Sequence, residues 1–197
     1  MYRGNDPWVD ATKHFNSPVR ILFDDVQNPN LSYYDAVYWA VDNGITTGTS
    51  ATTFSPGSPC TRAQFVTFLW RAVGKPEPKS TKNPFTDVKS GLSYSKAVLW
   101  AYENGITTGT SDTTFSPGNP CTRAQVATFL WRAMGKPEPT IKTNPFTDVK
   151  SGLSYSKAVL WAYEKKIITG TSKTEFSPTK TCTRAQTVTF LYRTYKN

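Results

Sequence analysis

The five residues Cys-Thr-Arg-Ala-Gln occur three times in the chain, at 60–64, 121–125 and 182–186. Each copy precedes an apolar helical pattern. Threonine followed three residues later by glutamine is typical of a capping box, in which both side chains bind free backbone N–H groups at a helix start. The arginine has no role in such a cap. Because a helix N-terminus carries partial positive charge, a cation there costs about 0.3–1 kcal/mol.

Two explanations fit arginines that recur at this unfavourable position. Each could pair with a carboxylate of a neighbouring repeat, and the repeated Phe-Asp-Asp-Val and Phe-Thr-Asp-Val segments supply the candidates. Alternatively, each could join exposed N–H groups at the helix start and form an anion pocket. The two arrangements can coexist, with an aspartate orienting the arginine. The arginines are Arg62, Arg123 and Arg184, and the aspartates are Asp25, Asp87 and Asp148.

The repetition extends over most of the chain. Trp39, Trp100 and Trp161 are 61 residues apart, as are the three cysteines, and residues 83–103 are identical to residues 144–164. Such a long period predicts repeated structural units. Proline-containing linkers separate the copies. The predicted units are therefore unit 1 (20–75), unit 2 (82–136) and unit 3 (143–197), with 1–19 as a leader or a remnant of an upstream region.

Each unit is predicted to be helix, ordered loop, helix. In unit 2 the apolar spacing predicts a first helix with Ser93 as N-cap and Gly105 as its stop, and a second helix that ends at Gly135. The phenylalanine of the loop, Phe115 in unit 2, should enter the core. In unit 3, Lys166 replaces the stop glycine, which should strain or shift the helix end.

A unit of about 50 residues is too short to bury a sufficient core alone. The sequence therefore predicts an all-α fold, in which three helix–loop–helix repeats pack as a pseudo-threefold helical bundle. Free cysteine is among the most buried residue types, so the three cysteines are interpreted as small core residues. The alternative is that they meet on the axis and bind a metal ion.

Charge and composition limit the function. The net charge of +9 favours acidic partners: nucleic acid, an anionic membrane surface or an acidic polymer. No apolar run is long enough to span a membrane. The N-terminus lacks the apolar core of a signal peptide, which fits a fragment of a longer protein. The single histidine, His14, lies outside the repeats, so neither a catalytic triad nor a zinc site is expected. We expect no enzyme and no cofactor.

The repeated elements resemble, in order, the S-layer homology domain: "FTDV", a helix ending in "GITTG", "TTFSP", and "CTRAQ" before an apolar helix. The likeness covers nearly all of residues 20–197 and occurs three times. It implies a pseudo-trimer that anchors surface proteins, mostly of Gram-positive bacteria, to the cell wall. The implied ligand is an acidic secondary cell-wall polysaccharide, often bearing pyruvylated N-acetylmannosamine, in grooves between neighbouring domains. Cargo domains are expected on the same longer chain.

The resemblance also implies site residues. The motif arginines would pair with the acidic group, and glycines of the "GITTG" turn would allow close approach of the backbone. The expected site consists of Arg62, Arg123, Arg184, Gly48, Gly109, Gly170, Asp25, Asp87, Asp148, Tyr34, Tyr94 and Tyr155. The sequence departs from the family where glutamine replaces the motif glutamate, at Gln64, Gln125 and Gln186. With Lys166 and Lys173, unit 3 is expected to have lost or altered its site.

Two other functions remain open from the residues alone. One is a structural or partner-binding scaffold in which the arginines form ion pairs between repeats. The other, less favoured, is nucleic-acid binding, because the basic residues are dispersed over linkers and helix ends and form no stripe.

Overall fold

Six helices form between residues 22 and 196, two in each predicted unit. The computed structural model describes residues 22–196, so the predicted leader at 1–19 lies outside the described residues. The helices are α1 (Tyr34–Asp42), α2 (Arg62–Ala72), α3 (Ser95–Glu103), α4 (Arg123–Ala133), α5 (Ser156–Glu164) and α6 (Arg184–Tyr195). Between residues 22 and 196 there is no β-strand, only isolated bridges between units. The all-α prediction is therefore confirmed.

Helix packing occurs between units. Helix α3 of unit 2 packs on α2 of unit 1, α5 of unit 3 packs on α4 of unit 2, and α1 of unit 1 packs on α6 of unit 3. The second helices, α2, α4 and α6, also contact one another. The three units therefore contact each other in a cycle, which is the arrangement that a pseudo-threefold bundle requires.

The cysteines link the three units through their backbones. The N–H of Cys60 donates to the carbonyl oxygen of Cys182, that of Cys182 to Cys121, and that of Cys121 to Cys60, at 2.8–3.0 Å. All three thiols are free and fully buried. Burial raises the pKa of Cys60 to about 11 and that of Cys182 to about 12, so these side chains stay protonated and pack as small apolar groups.

The second helix of each unit begins as the sequence predicts. Thr61 caps α2, with its hydroxyl accepting from the N–H of Gln64 and the Gln64 side chain accepting from the N–H of Thr61. Capping boxes of the same kind start α4 and α6. The predicted N-cap of the first helix in unit 2 is wrong. A turn in which Ser95 N–H donates to Leu92 O leads into α3, so the N-cap is Tyr94 and not Ser93.

Aromatic side chains fill the space beneath the loops. Phe54, Phe115 and Phe176 are fully buried, as predicted, and each packs against a second phenylalanine near the start of its unit. The centres of the paired rings are 5.4–5.8 Å apart in the pairs Phe23–Phe54, Phe85–Phe115 and Phe146–Phe176. These pairs hold each loop against the start of its own unit.

Lys166 strains the end of α5 without shifting it. The first helices of the three units end at equivalent residues, and Lys166 has φ of 56°, close to the 65° of Gly44 and the 63° of Gly105. The N–H of Ile167 still donates to Ala162 O, as in the glycine-containing units. A side chain in this left-handed conformation costs about 1–2 kcal/mol.

We expect Lys166→Gly to stabilise the chain by about 1 kcal/mol, because it removes the left-handed strain at the end of α5. For a chain of this size the melting temperature should rise by about 2–4 °C in calorimetry. Lys165→Gly is the matched control, because Lys165 has φ of −77° and should gain nothing. A lower melting temperature for Lys166→Gly would contradict the assigned strain.

We also expect an isolated unit 2, residues 82–136, not to fold cooperatively. Its helices α3 and α4 each pack on a helix of another unit, so cutting the chain exposes both apolar faces. The whole chain should show one cooperative thermal transition by circular dichroism, and the fragment should show none. A sharp transition for the fragment would contradict the prediction that the core is shared between units.

Candidate functional site

The three motif arginines lie in the interfaces between units. Each is 3–4% exposed, and its Nε donates a hydrogen bond of 2.7–2.8 Å to the carbonyl oxygen of the buried loop phenylalanine of another unit. The same phenylalanine ring lies 4.6–4.8 Å from the guanidinium carbon, a cation–π contact. The pairs are Arg62–Phe115, Arg123–Phe176 and Arg184–Phe54. The arginines therefore hold the cycle of units together.

The aspartates bind the loop and not the arginines. Asp87 accepts hydrogen bonds from the N–H groups of Phe115 and Ser116, at 2.8 and 2.7 Å, and Asp25 and Asp148 do the same in their units. Within residues 22–196 no ion pair joins a motif arginine to a carboxylate. The expected inter-repeat ion pairs are thus replaced by carbonyl contacts. The aspartate acts on the arginine indirectly, because it fixes the loop whose carbonyl the arginine binds.

The N–H groups at the helix starts are not exposed, so that part of the predicted anion pocket is wrong. At α2 the N–H of Arg62 donates to Asn119 O and the N–H of Ala63 donates to Pro117 O, at 2.9 and 3.1 Å. The next N–H, that of Gln64, is capped by Thr61. Helices α4 and α6 repeat this pattern against the loops of units 3 and 1. Carbonyl oxygens of the neighbouring unit thus face both the positive helix end and the arginine.

Among the described residues, grooves open beside two of the motif arginines. The Arg184 groove, of about 420 Å³, lies between units 1 and 2 and is lined by Gly48 of the turn, by α2 residues Gln64 and Arg71, and by Tyr94. The Arg123 groove, of about 540 Å³, lies between units 3 and 1 and contains the equivalent elements. Arg62 makes the matching contact with unit 2. At these two borders a motif arginine and a turn glycine therefore line the same groove.

The turn glycines are required by the turn itself. A Cβ atom on Gly48 would lie 2.5 Å from Thr53 O and 2.6 Å from the Phe23 ring, and one on Gly109 would lie 2.5 Å from Thr114 O. A Cβ atom on Gly170 would collide with Ser172 O in the same way. Gly48 and Gly170 also line the grooves. The turn therefore requires glycine at these positions whether or not a ligand contacts the backbone there.

The tyrosine assignment is wrong in unit 1. Tyr94 lines the Arg184 groove, and Tyr33 lines the Arg123 groove. Tyr33, like Tyr94 and Tyr155, precedes the first helix of its unit. Tyr34 instead packs on Tyr38, with ring centres 4.7 Å apart. The 61-residue spacing relates Tyr33 to Tyr94 and Tyr155, so the sequence already contained the signal for the correct residue.

Sequence reasoning missed a second set of arginines. Arg71 of α2 lines the Arg184 groove, and its Nη1 donates to Ile45 O at 2.9 Å. Arg132 and Arg193 make the same bond to Ile106 and Ile167. Their 61-residue spacing was the available signal. They lie in the last helical turn, where a cation is favourable. Their presence therefore needed no functional explanation and did not indicate a binding site.

We expect Asp87→Ala to lower the free energy of unfolding by about 2–4 kcal/mol, because it leaves the N–H groups of Phe115 and Ser116 without their charged acceptor. Chemical denaturation measures this. Asp112→Ala is the control, since Asp112 is exposed on the same loop and should change stability by less than about 0.5 kcal/mol. Equal effects of the two substitutions would contradict the role of Asp87.

Comparison with known proteins supports one family. The model of the S-layer homology domain matches residues 23–66, 84–127 and 145–188. An endoglucanase of Bacillus sp. (strain KSM-635) is 35% identical over 91% of this chain and 19% of its own length. An S-layer protein of Bacillus thuringiensis subsp. finitimus is 27% identical over 82% of the chain and 20% of its length. A surface-layer 125 kDa protein of Lysinibacillus sphaericus is 30% identical over 83% of the chain and 14% of its own length.

These relatives are much longer than the chain, which spans about a fifth or less of each of the three. The match to the endoglucanase lies in its family domains, a small share of that protein, and therefore carries no catalytic assignment. None of the helices between residues 22 and 196 has the length and apolarity needed to cross a bilayer.

Proposed function

The chain belongs to the S-layer homology domain family, and we propose that it anchors a longer protein to the bacterial cell wall by binding an acidic wall polysaccharide in the grooves beside its motif arginines. A cell-surface location, expected from the resemblance, is confirmed by the family and by the S-layer relatives. The domain is a non-catalytic anchoring module.

One observation carries the choice of an acidic ligand. Nη2 of Arg184 is buried and, among the described residues, has no hydrogen-bond partner, although this arginine borders the groove between units 1 and 2. An unpaired charged donor in a buried position costs free energy. A carboxylate oxygen in the groove would supply the missing acceptor, and guanidinium groups suit carboxylates better than any other side chain does.

The groove also suits a sugar. Its volume of about 420 Å³ is in the range of small-ligand sites, and Tyr94 contributes an aromatic ring beside polar side chains. The binding free energy of one acidic sugar in one groove is modest. Two or more grooves on one polymer chain bind more tightly, because the second contact is intramolecular. We propose that cargo domains elsewhere on the longer protein are held at the wall in this way.

A purely structural scaffold is the second candidate. The Nε bonds and ring contacts of the motif arginines favour it, since they join the units without any ligand. The unpaired Nη2 of Arg184 is not explained by that function. The +9 charge alone also fits nucleic acid, and the experiment below separates that option by its dependence on charge.

We expect the combined change of Arg62, Arg123 and Arg184 to lysine to weaken binding to purified wall polysaccharide by at least tenfold in a pull-down assay. Lysine keeps the charge and can still reach a carbonyl oxygen, but it has no second nitrogen to replace the unpaired Nη2. Circular dichroism checks that the variant remains folded.

The control removes charge away from the grooves, by changing the exposed Lys89, Lys142 and Lys150 to alanine. This variant should bind wall polysaccharide as the unchanged chain does. If it loses binding while the folded arginine-to-lysine variant keeps it, binding is non-specific electrostatic attraction and the proposed site is wrong.

A further inference from the structure

The grooves are not equivalent. We propose that the Arg123 groove does not take the anionic group, and that Ile168 is the residue that decides this. The inference rests on the proposed function and concerns which motif arginines remain available to a ligand. It predicts that the anion binds at Arg184 and, by the equivalence of the repeats, at Arg62, while Arg123 is occupied by the chain's own backbone.

A threonine hydroxyl holds the turn in units 1 and 2. The N–H of Gly48 donates to the hydroxyl of Thr46, and the N–H of Gly109 donates to the hydroxyl of Thr107, both at 3.2 Å. These threonines are 1–2% exposed. With that bond in place, Gly48 and Gly109 have φ of 89° and 86°, a left-handed conformation that suits glycine.

Unit 3 has no such hydroxyl, because Ile168 stands where the other units have threonine. Gly170 accordingly lies outside the left-handed region that Gly48 and Gly109 occupy. The neighbouring carbonyl of Thr169 accepts a hydrogen bond of 2.6 Å from Nη2 of Arg123. The loss of one hydroxyl and the altered turn thus coincide with a carbonyl oxygen bound to the motif arginine.

The other two motif arginines lack this bond. Nη2 of Arg62 and Nη2 of Arg184 are buried and have no hydrogen-bond partner within the described part of the chain. An anion that meets either group gains a charged hydrogen bond without breaking one. In the Arg123 groove it must first displace the Thr169 carbonyl. A charged hydrogen bond of ordinary strength corresponds to roughly a tenfold to hundredfold difference in affinity.

Charge alone predicts the opposite order. Each groove is lined by a further arginine, Arg193 or Arg71, but the Arg123 groove also contains Lys180 and is the larger of the two. If affinity followed positive charge, the Arg123 groove would bind best. If it follows the free guanidinium donor, this groove binds worst, so the two explanations give opposite results.

The test titrates the whole chain with pyruvylated N-acetylmannosamine in a calorimeter and counts the sites. We expect two sites in the unchanged chain. Ile168→Thr restores the hydroxyl and should raise the number to three. Ile168→Val introduces a side chain with the shape of threonine but no hydroxyl, and should leave the number of sites at two. Thr107→Val removes the hydroxyl from unit 2 and should lower the number to one.

A crystal structure of ligand-free Ile168→Thr gives an independent readout. We expect a positive φ at Gly170 and a Thr169 carbonyl that no longer contacts Arg123. An unchanged turn would overturn the inference whatever the titration gives.

The titration separates the failure of this inference from the failure of the proposed function. Three equal sites in the unchanged chain, or an equal number in the threonine and valine variants, would overturn the inference and leave the function standing. An absence of binding by every variant would overturn both.

Discussion

The fold depends on the junction between a helix start and a loop of another unit. At α2 the first two helical N–H groups and the arginine side chain all donate to carbonyl oxygens from the Phe115–Asn119 loop of unit 2. The partial charges of these oxygens oppose both the helix dipole and the cation. An arginine that is unfavourable on an isolated helix is therefore stabilising once the neighbouring unit is present. Three such junctions and the cysteine backbone bonds close the cycle.

The same arginine serves both the fold and the site, through different atoms. Nε and the face of the guanidinium bind the neighbouring unit in every copy, while the fate of Nη2 differs between copies. This division explains why the residue has to be arginine. Lysine offers a single nitrogen and cannot bind a carbonyl oxygen with one donor while a second, separate donor remains for a ligand.

Local features of the structure were predictable from the sequence. The capping box, the left-handed stop at Gly105 and the buried Phe115 depend on residues close in the chain, and each is where the sequence placed it. The partner of the arginine was not predictable, because a carbonyl oxygen belongs to every residue and leaves no mark in the sequence. The nearby aspartates were the visible candidates, and they bind backbone N–H groups instead.

Repetition helped where the copies match and misled where they differ. The 61-residue period that relates Trp39 to Trp100 relates Tyr33, not Tyr34, to Tyr94, but two adjacent tyrosines in unit 1 made Tyr34 an equally visible candidate. In the sequence, Ile168 is an apolar residue at the position of Thr46 and Thr107. Its effect lies two residues away, on a glycine N–H, and it shows only when three copies of one turn are compared in space.

The cycle has one border that differs from the other two. Covalent linkers connect α2 to α3 and α4 to α5 beside their packed helices, but no linker runs from α6 back to α1, which meet through side chains alone. A pull on the two ends of the module acts first on that border, where Trp39 rests on Tyr192. The border between units 3 and 1 therefore carries such a load through this aromatic contact, the Arg184–Phe54 bond and the backbone bonds of Cys60, Arg184 and Ala185, without a covalent linker beside them.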